Sequence, residues 1–236
     1  MSRLARIAVV NVAHHVTQRG NARQFILAND DERTVYLNLL HKYVNLCELS
    51  VRGYCLMSNH VHLVVIPHNG CGLALALKET HGRYAAYWNT IHRSSGHAWQ
   101  GRYFSCPLEG ARLWEALRYA ELNPVRAGLA TEAEAWMWSS AATHCGTEAG
   151  NEFLDLDVWR NHWTGSTWRR YLAAGEMESK LAAIRQCTHT GRPLGSTEFV
   201  QALEASMKRR LAPQKGGRPP KACLDARQSE LAFEPE

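Results

Sequence analysis

The chain lacks the features that would place it outside the cell or in a membrane. Its seven cysteines, at positions 47, 55, 71, 106, 145, 187 and 223, include no C-x-x-C pair and are odd in number. This spacing argues against a zinc ribbon or a disulfide framework and fits free thiols in a reducing compartment. The apolar stretch at residues 7–10 is too short for a secretory leader and is interrupted by Asn11. No run approaches the roughly 18–20 apolar residues that cross a bilayer. A soluble, cytoplasmic protein without membrane association is therefore expected. No internal repeat is present, and the charge imbalance is small: net +5, with a pI near 8.9. That excess favours an acidic partner, with nucleic acid first, but an ordinary basic protein carries as much.

What is present is enough for a real core, since 45% of the 236 residues are hydrophobic. Residues 7–18 are rich in β-branched side chains and read as a first strand, ended by Arg19-Gly20-Asn21. Asn29 followed by three acids supplies a helix start, and Tyr36, Leu39, Leu40, Tyr43 and Cys47 follow at helical spacing. Residues 51–57 and 60–66 read as two strands joined by Ser58-Asn59. A second amphipathic helix is expected over 73–91, with Leu73, Leu77, Tyr84, Trp88 and Ile91 on one face. A fourth strand is expected over 97–104, and a short helix over 111–123 that stops before Pro124, with Gly128 marking the exit.

The order strand, helix, strand, strand, helix, strand is the split βαβ arrangement. The expected fold is therefore α+β, a ferredoxin-like antiparallel sheet with helices on one face, followed by a mostly helical extension. Residues 1–145 would form the main domain, 146–207 the extension and 208–236 a flexible basic tail. Between Lys208 and Lys221 the tail holds Lys208, Arg209, Arg210, Lys215, Arg218 and Lys221 and no acid, a composition suited to electrostatic contact with phosphates. Trp159, Trp163, Trp168 and Tyr171 are expected to pack rather than to stack on bases, because large aromatics dominate cores.

Two constellations carry chemistry. His60 and His62 flank Val61 in an expected strand, so both imidazoles project from one face. Paired neutral imidazoles are a good start to a metal site, although a solvated strand edge could carry the same pair. Tyr119 and Asn123 stand four apart on the short helix and share a face. If that helix docks on the histidine face, an amide oxygen completes a mixed N/O site suited to Mg²⁺ or Mn²⁺. The phenol then becomes a nucleophile beside a polarised phosphate.

These residues resemble a known family. Residues 14–24 (His-His-Val-Thr-Gln-Arg-Gly-Asn-Ala-Arg-Gln), 54–67, 99–104 and 119–129 are similar to the HUH single-tyrosine transposases, specifically the REP-associated tyrosine transposases; residues 191–200 and 216–221 resemble that family's C-terminal region. The resemblance implies a single-strand DNA endonuclease fold with a divalent metal on His60 and His62. It places Asn123 at the third ligand and Tyr119 at the nucleophile that forms a 5′-phosphotyrosine link, leaving a free 3′-OH. Partners would be single-stranded DNA and hairpins of repetitive extragenic palindromes. Position 115 is Glu and 123 is Asn, so paired-tyrosine relatives are disfavoured.

His14, His15 and Glu121 are open choices for the proton acceptor. Arg19, Arg102 and Arg126, with Lys208, Arg209, Arg210, Lys215 and Arg218, are expected DNA contacts. A monomer is favoured over a dimer by the long C-terminal region. The competing readings are a domesticated hairpin-binding protein without strand transfer, and a metal hydrolase that uses water.

Overall fold

The computed structural model describes residues 6–148 and 153–212. Lys215, Arg218 and nearly all of the expected basic tail lie outside the described residues. Four strands form the sheet: β1 (Ala13–Arg19), β2 (Leu49–Leu56), β3 (His60–Pro67) and β4 (Phe104–Leu108). They run in the order β2-β3-β1-β4, and every neighbouring pair is antiparallel. The crossover helices α1 (Asp30–Leu46) and α2 (Gly72–Ile91) complete the split βαβ unit.

Helix α1 starts where the sequence signals it. The Asn29 side chain accepts a hydrogen bond from the Glu32 backbone N–H at 2.9 Å, and Asp30, Asp31 and Glu32 fill the first turn where the helix dipole favours negative charge. Its buried stripe, including Tyr36, Leu40 and Tyr43, meets Leu73, Leu77, Tyr84 and Trp88 of α2 over the sheet face made by Val16, Val61, Leu63 and Val65. Ile91, expected on that stripe, is exposed because it is the last residue of the helix.

Three boundaries differ from expectation. Strand β1 begins at Ala13, because Asn11 takes a left-handed conformation (φ 60°) and Val12 N–H bonds back to Val9 in a turn. The fourth strand is not at 97–104 but at Phe104–Leu108: Gly96 and Gly101 have φ of 94° and 142°, which breaks the extended run before it. Pro107 is tolerated in β4 because that strand is a sheet edge whose outer side meets only a bridge to Leu194, where the Pro107 carbonyl accepts from Leu194 N–H at 2.8 Å. Finally, the helix expected over 111–123 divides into α3 (Arg112–Glu121) and a short turn α4 (Asn123–Arg126). Pro124 opens α4 instead of stopping the chain, since a first-turn residue needs no N–H partner. Gly128 makes the exit at φ 69°.

The opposite sheet face receives α3. Gly53 of β2 permits that approach: a Cβ there would lie 2.4 Å from Leu117 Cδ2 and 2.8 Å from Ser140 Oγ. Around α3 gather α5 (Ala141–His144), α6 (Asp157–Arg160), α7 (Gly165–Ala173) and α8 (Glu178–Thr190), while α9 (Thr197–Met207) packs near Ile7 through Leu203. Trp159 and the fully buried Trp168 share one cluster with Leu113, Leu117, Val64 and Cys106. The tryptophans thus pack, as expected, and join the later helices to the sheet. The six described cysteines are free thiols, and no described helix is long and apolar enough to cross a membrane.

Candidate active site

Strand register sets the floor of a cavity of about 550 Å³ on the α3 side of the sheet. Thr17 pairs with His62 and Arg19 with His60 across β1 and β3, so alternate residues His15, Thr17, Arg19, His60 and His62 face the same space. Tyr119 enters from α3 and Asn123 from the start of α4. Leu122 between them keeps helical angles (φ −82°, ψ 0°), which preserves their one-turn spacing. The docking required of the second constellation is therefore met.

Hydrogen bonds orient the histidines. His60 Nδ1–H donates to Asn59 Oδ1 at 2.6 Å, because a carbonyl oxygen can only accept, and this leaves Nε2 with its lone pair free. His62 Nδ1 lies 2.9 Å from His15 Nε2, and His15 Nδ1 lies 2.8 Å from Thr188 Oγ1. A chain of donors running His62 to His15 to Thr188 frees His62 Nε2 for a cation, while the reverse chain satisfies the same three groups. Burial depresses these imidazoles: His15 to about 3, with Arg126 adding to the effect; His60 to about 4, with Arg19 adding; His62 well below 6.5, with His60 and His15 adding. All three are neutral near pH 7, the form that binds metals.

The donor set fits a divalent cation of the mixed kind. Two imidazoles each have Nδ1 anchored by a hydrogen bond, which leaves Nε2 as the nitrogen that would face a metal. The Asn123 side-chain nitrogen is buried without a partner, so this amide is not committed elsewhere. Among the described residues no group of three His, Cys, Asp or Glu side chains could hold a metal, so the amide is the candidate third protein donor.

The Tyr119 ring meets His62 and His15 edge-on, with centroids 5.5 and 5.6 Å apart. Arg126 lies over its other side at 4.4 Å, bonds the Tyr119 carbonyl and pairs with Glu176 at 2.7 Å. Among the described residues Tyr119 is the one tyrosine lining the cavity. Tyr84, a possible substitute, is buried in the other core with its hydroxyl on the Ile26 carbonyl, and Tyr103 sits under Arg6 at a second cavity.

Several expected contacts are not brought here. Arg102 lines that second cavity, with Arg6, Lys78 and Trp99, so of the three arginines only Arg19 and Arg126 reach the site. Lys208, Arg209 and Arg210 follow α9 and do not line the cavity. His14 points to the opposite sheet face and bonds the Val12 carbonyl at 2.8 Å. Glu121 is fully buried and spends its oxygens on His144, Ser140 and Trp168 at 2.5, 2.6 and 2.8 Å. Neither can take the tyrosine proton, nor can His15, whose two nitrogens are engaged.

Sequence reasoning missed further residues lining the cavity: Arg185, Thr188 and His189 of α8, with Arg23 and Gln100. The i, i+3, i+4 spacing of the α8 residues was visible, but nothing in the chain ties that face to the histidines.

The split βαβ sheet thus brings the histidine pair, the amide and the tyrosine to one cavity. Residues 8–123 match the family described as Transposase IS200 like, and that segment of the chain belongs to it. A solved structure of a REP-associated tyrosine transposase bound to a REP hairpin is similar to this fold, at 15% identity and TM-score 0.54, covering 67% of this chain and 93% of that one. A structure from Deinococcus radiodurans R1, a candidate transposase, aligns at 15% identity and TM-score 0.35 over 54% of this chain and 92% of the other. No curated protein matches the sequence.

Proposed function

We propose that this transposase is a single-strand DNA transesterase that cuts and rejoins DNA beside a hairpin through a tyrosine–5′-phosphate link. The observation that carries the reading is the convergence of Tyr119 with His60, His62 and Asn123 in one cavity. His60 and His62 would hold a divalent metal, Mg²⁺ or Mn²⁺, through Nε2, with Asn123 completing the set. When bound, the metal supplies Lewis-acid stabilisation of the phosphate charge.

The protein's own groups do the rest. Tyr119 presents its hydroxyl as the nucleophile, held at a fixed angle by the His62 and His15 edges and by Arg126. Arg19 and Arg23 line the cavity, where guanidinium groups suit phosphate oxygens. Hairpin stems would contribute backbone charge, and unpaired bases the sequence reading. The solved relative bound to a REP hairpin supports the choice of partner. A monomer suffices on this reading, because α8 closes the cavity from within the same chain.

The test is incubation with hairpin-flanked single-stranded oligonucleotides and Mn²⁺, followed by a denaturing gel. A covalent adduct with wild type and none with Tyr119→Phe is expected. Equal adduct yields would move the nucleophile elsewhere. Hairpin binding by the wild type with no adduct would return the domesticated binding protein, and cleavage without an adduct would return the hydrolase.

A further inference from the structure

The segment matching the transposase family ends at residue 123, yet one wall of the catalytic cavity comes from α8, far beyond it. Leu181 and Ile184 bury one side of this helix against the core. Arg185, Thr188 and His189, at i, i+3 and i+4, turn a neighbouring side to the cavity. Two contacts fix the helix against the sheet. Thr188 Oγ1 bonds His15 Nδ1 at 2.8 Å, and the His189 ring stacks on Phe104 of β4 with centroids 5.0 Å apart. One turn before Thr188, that anchoring turns Arg185 to the cavity that Tyr119 also lines. Tyr119 is the first cause of the arginine's raised pKa, and Glu178 accepts a hydrogen bond from the guanidinium at 2.9 Å.

We propose that Arg185 is a catalytic residue: its guanidinium donates to Tyr119 Oη and stabilises the negative charge on that oxygen during both cleavage and rejoining. The proposal rests on Tyr119 being the nucleophile. In cleavage the Oη–H bond breaks and its proton passes to water. The Oη–P bond forms, the P–O3′ bond breaks, and the departing 3′ oxygen takes a proton from solvent. Rejoining reverses each step, with Oη as the leaving group. Arg185 stays protonated throughout and transfers nothing. Arg126 cannot substitute, because it lies over the ring face and its nitrogens are committed to Glu176 and the Tyr119 carbonyl.

Single-turnover adduct formation and rejoining are measured on the full chain for wild type, Arg185→Lys and Arg185→Met, alongside hairpin affinity and Arg185→Met with added methylguanidinium. Loss of a donor to a developing oxyanion costs roughly 10²–10³ in rate. Arg185→Met is expected to lose about that factor in both directions, with hairpin affinity unchanged, partial recovery in the Lys variant and rescue by methylguanidinium. Wild-type rates in Arg185→Met overturn the proposal. So does a loss that methylguanidinium does not restore and that parallels a loss of hairpin affinity, since that marks a packing role. Absence of an adduct in wild type overturns the Tyr119 reading itself, and this proposal with it.

Discussion

His15 Nε2 lies 2.9 Å from His62 Nδ1, and the other nitrogen of His15 rests on Thr188 of α8. A residue of the first strand thereby orients a metal-binding candidate on the third, and a helix outside the family segment secures it.

His15→Ala removes that support while leaving both proposed imidazole ligands in place. Partners behind a metal-binding histidine are worth about 10–100-fold in affinity. Titration calorimetry with Mn²⁺ should show a weakening in that range with the fold intact by circular dichroism. Wild-type affinity in His15→Ala would separate His15 from the metal site.

Acid should destabilise the fold at a pH above the native histidine values. Burial holds His14 at about 4, His15 at about 3, His60 at about 4 and His81 at about 3, against 6.5 when exposed. Between pH 6.5 and 4 the unfolded chain binds protons that the native chain refuses, so stability is full above 6.5 and is lost as pH falls through this window. At pH 5 each such imidazole costs on the order of 2 kcal/mol. Melting temperatures measured from pH 7.5 to 4.5 should drop steadily below 6.5, and a flat profile would contradict the burial of these rings.

Glu121→Ala tests the anchor of the tyrosine helix. The carboxylate is buried among His144, Ser140 and Trp168, and removing one member of such a group costs about 3–5 kcal/mol. Urea denaturation should show a loss of that size. If the variant is as stable as wild type, the network does not hold α3.

Gly53→Ala probes how closely α3 must lie on the sheet. The added methyl would meet Leu117 Cδ2 and Ser140 Oγ well inside contact distance, and overpacking of this kind costs about 1–3 kcal/mol. Lower stability together with slower adduct formation is expected. Stability and rate both equal to wild type would show that the helix yields freely.

Much of the architecture was legible because it rests on local periodicity. Alternation put His60 and His62 on one side, and helical spacing put Tyr119 beside Asn123. The Asn29 cap and the strand–helix order followed from the same kind of reading. The fourth strand was misplaced because Trp99 and Tyr103 have strand-forming side chains, whereas the segment that does pair contains Pro107. Only its position at the sheet edge makes that proline acceptable. Arg102 is expected to contact DNA from its charge alone, and only the fold shows that its loop carries it to the other cavity.

The sequence by itself determined the split βαβ order, the same-face histidines and a tyrosine one turn from an amide, since each depends on neighbours within a few residues. Tertiary structure alone decided which arginines reach that tyrosine, that Glu121 is a buried anchor and that His15 supports His62. Those relations join residues distant in the chain through sheet register and helix docking, and no local pattern encodes which face meets which.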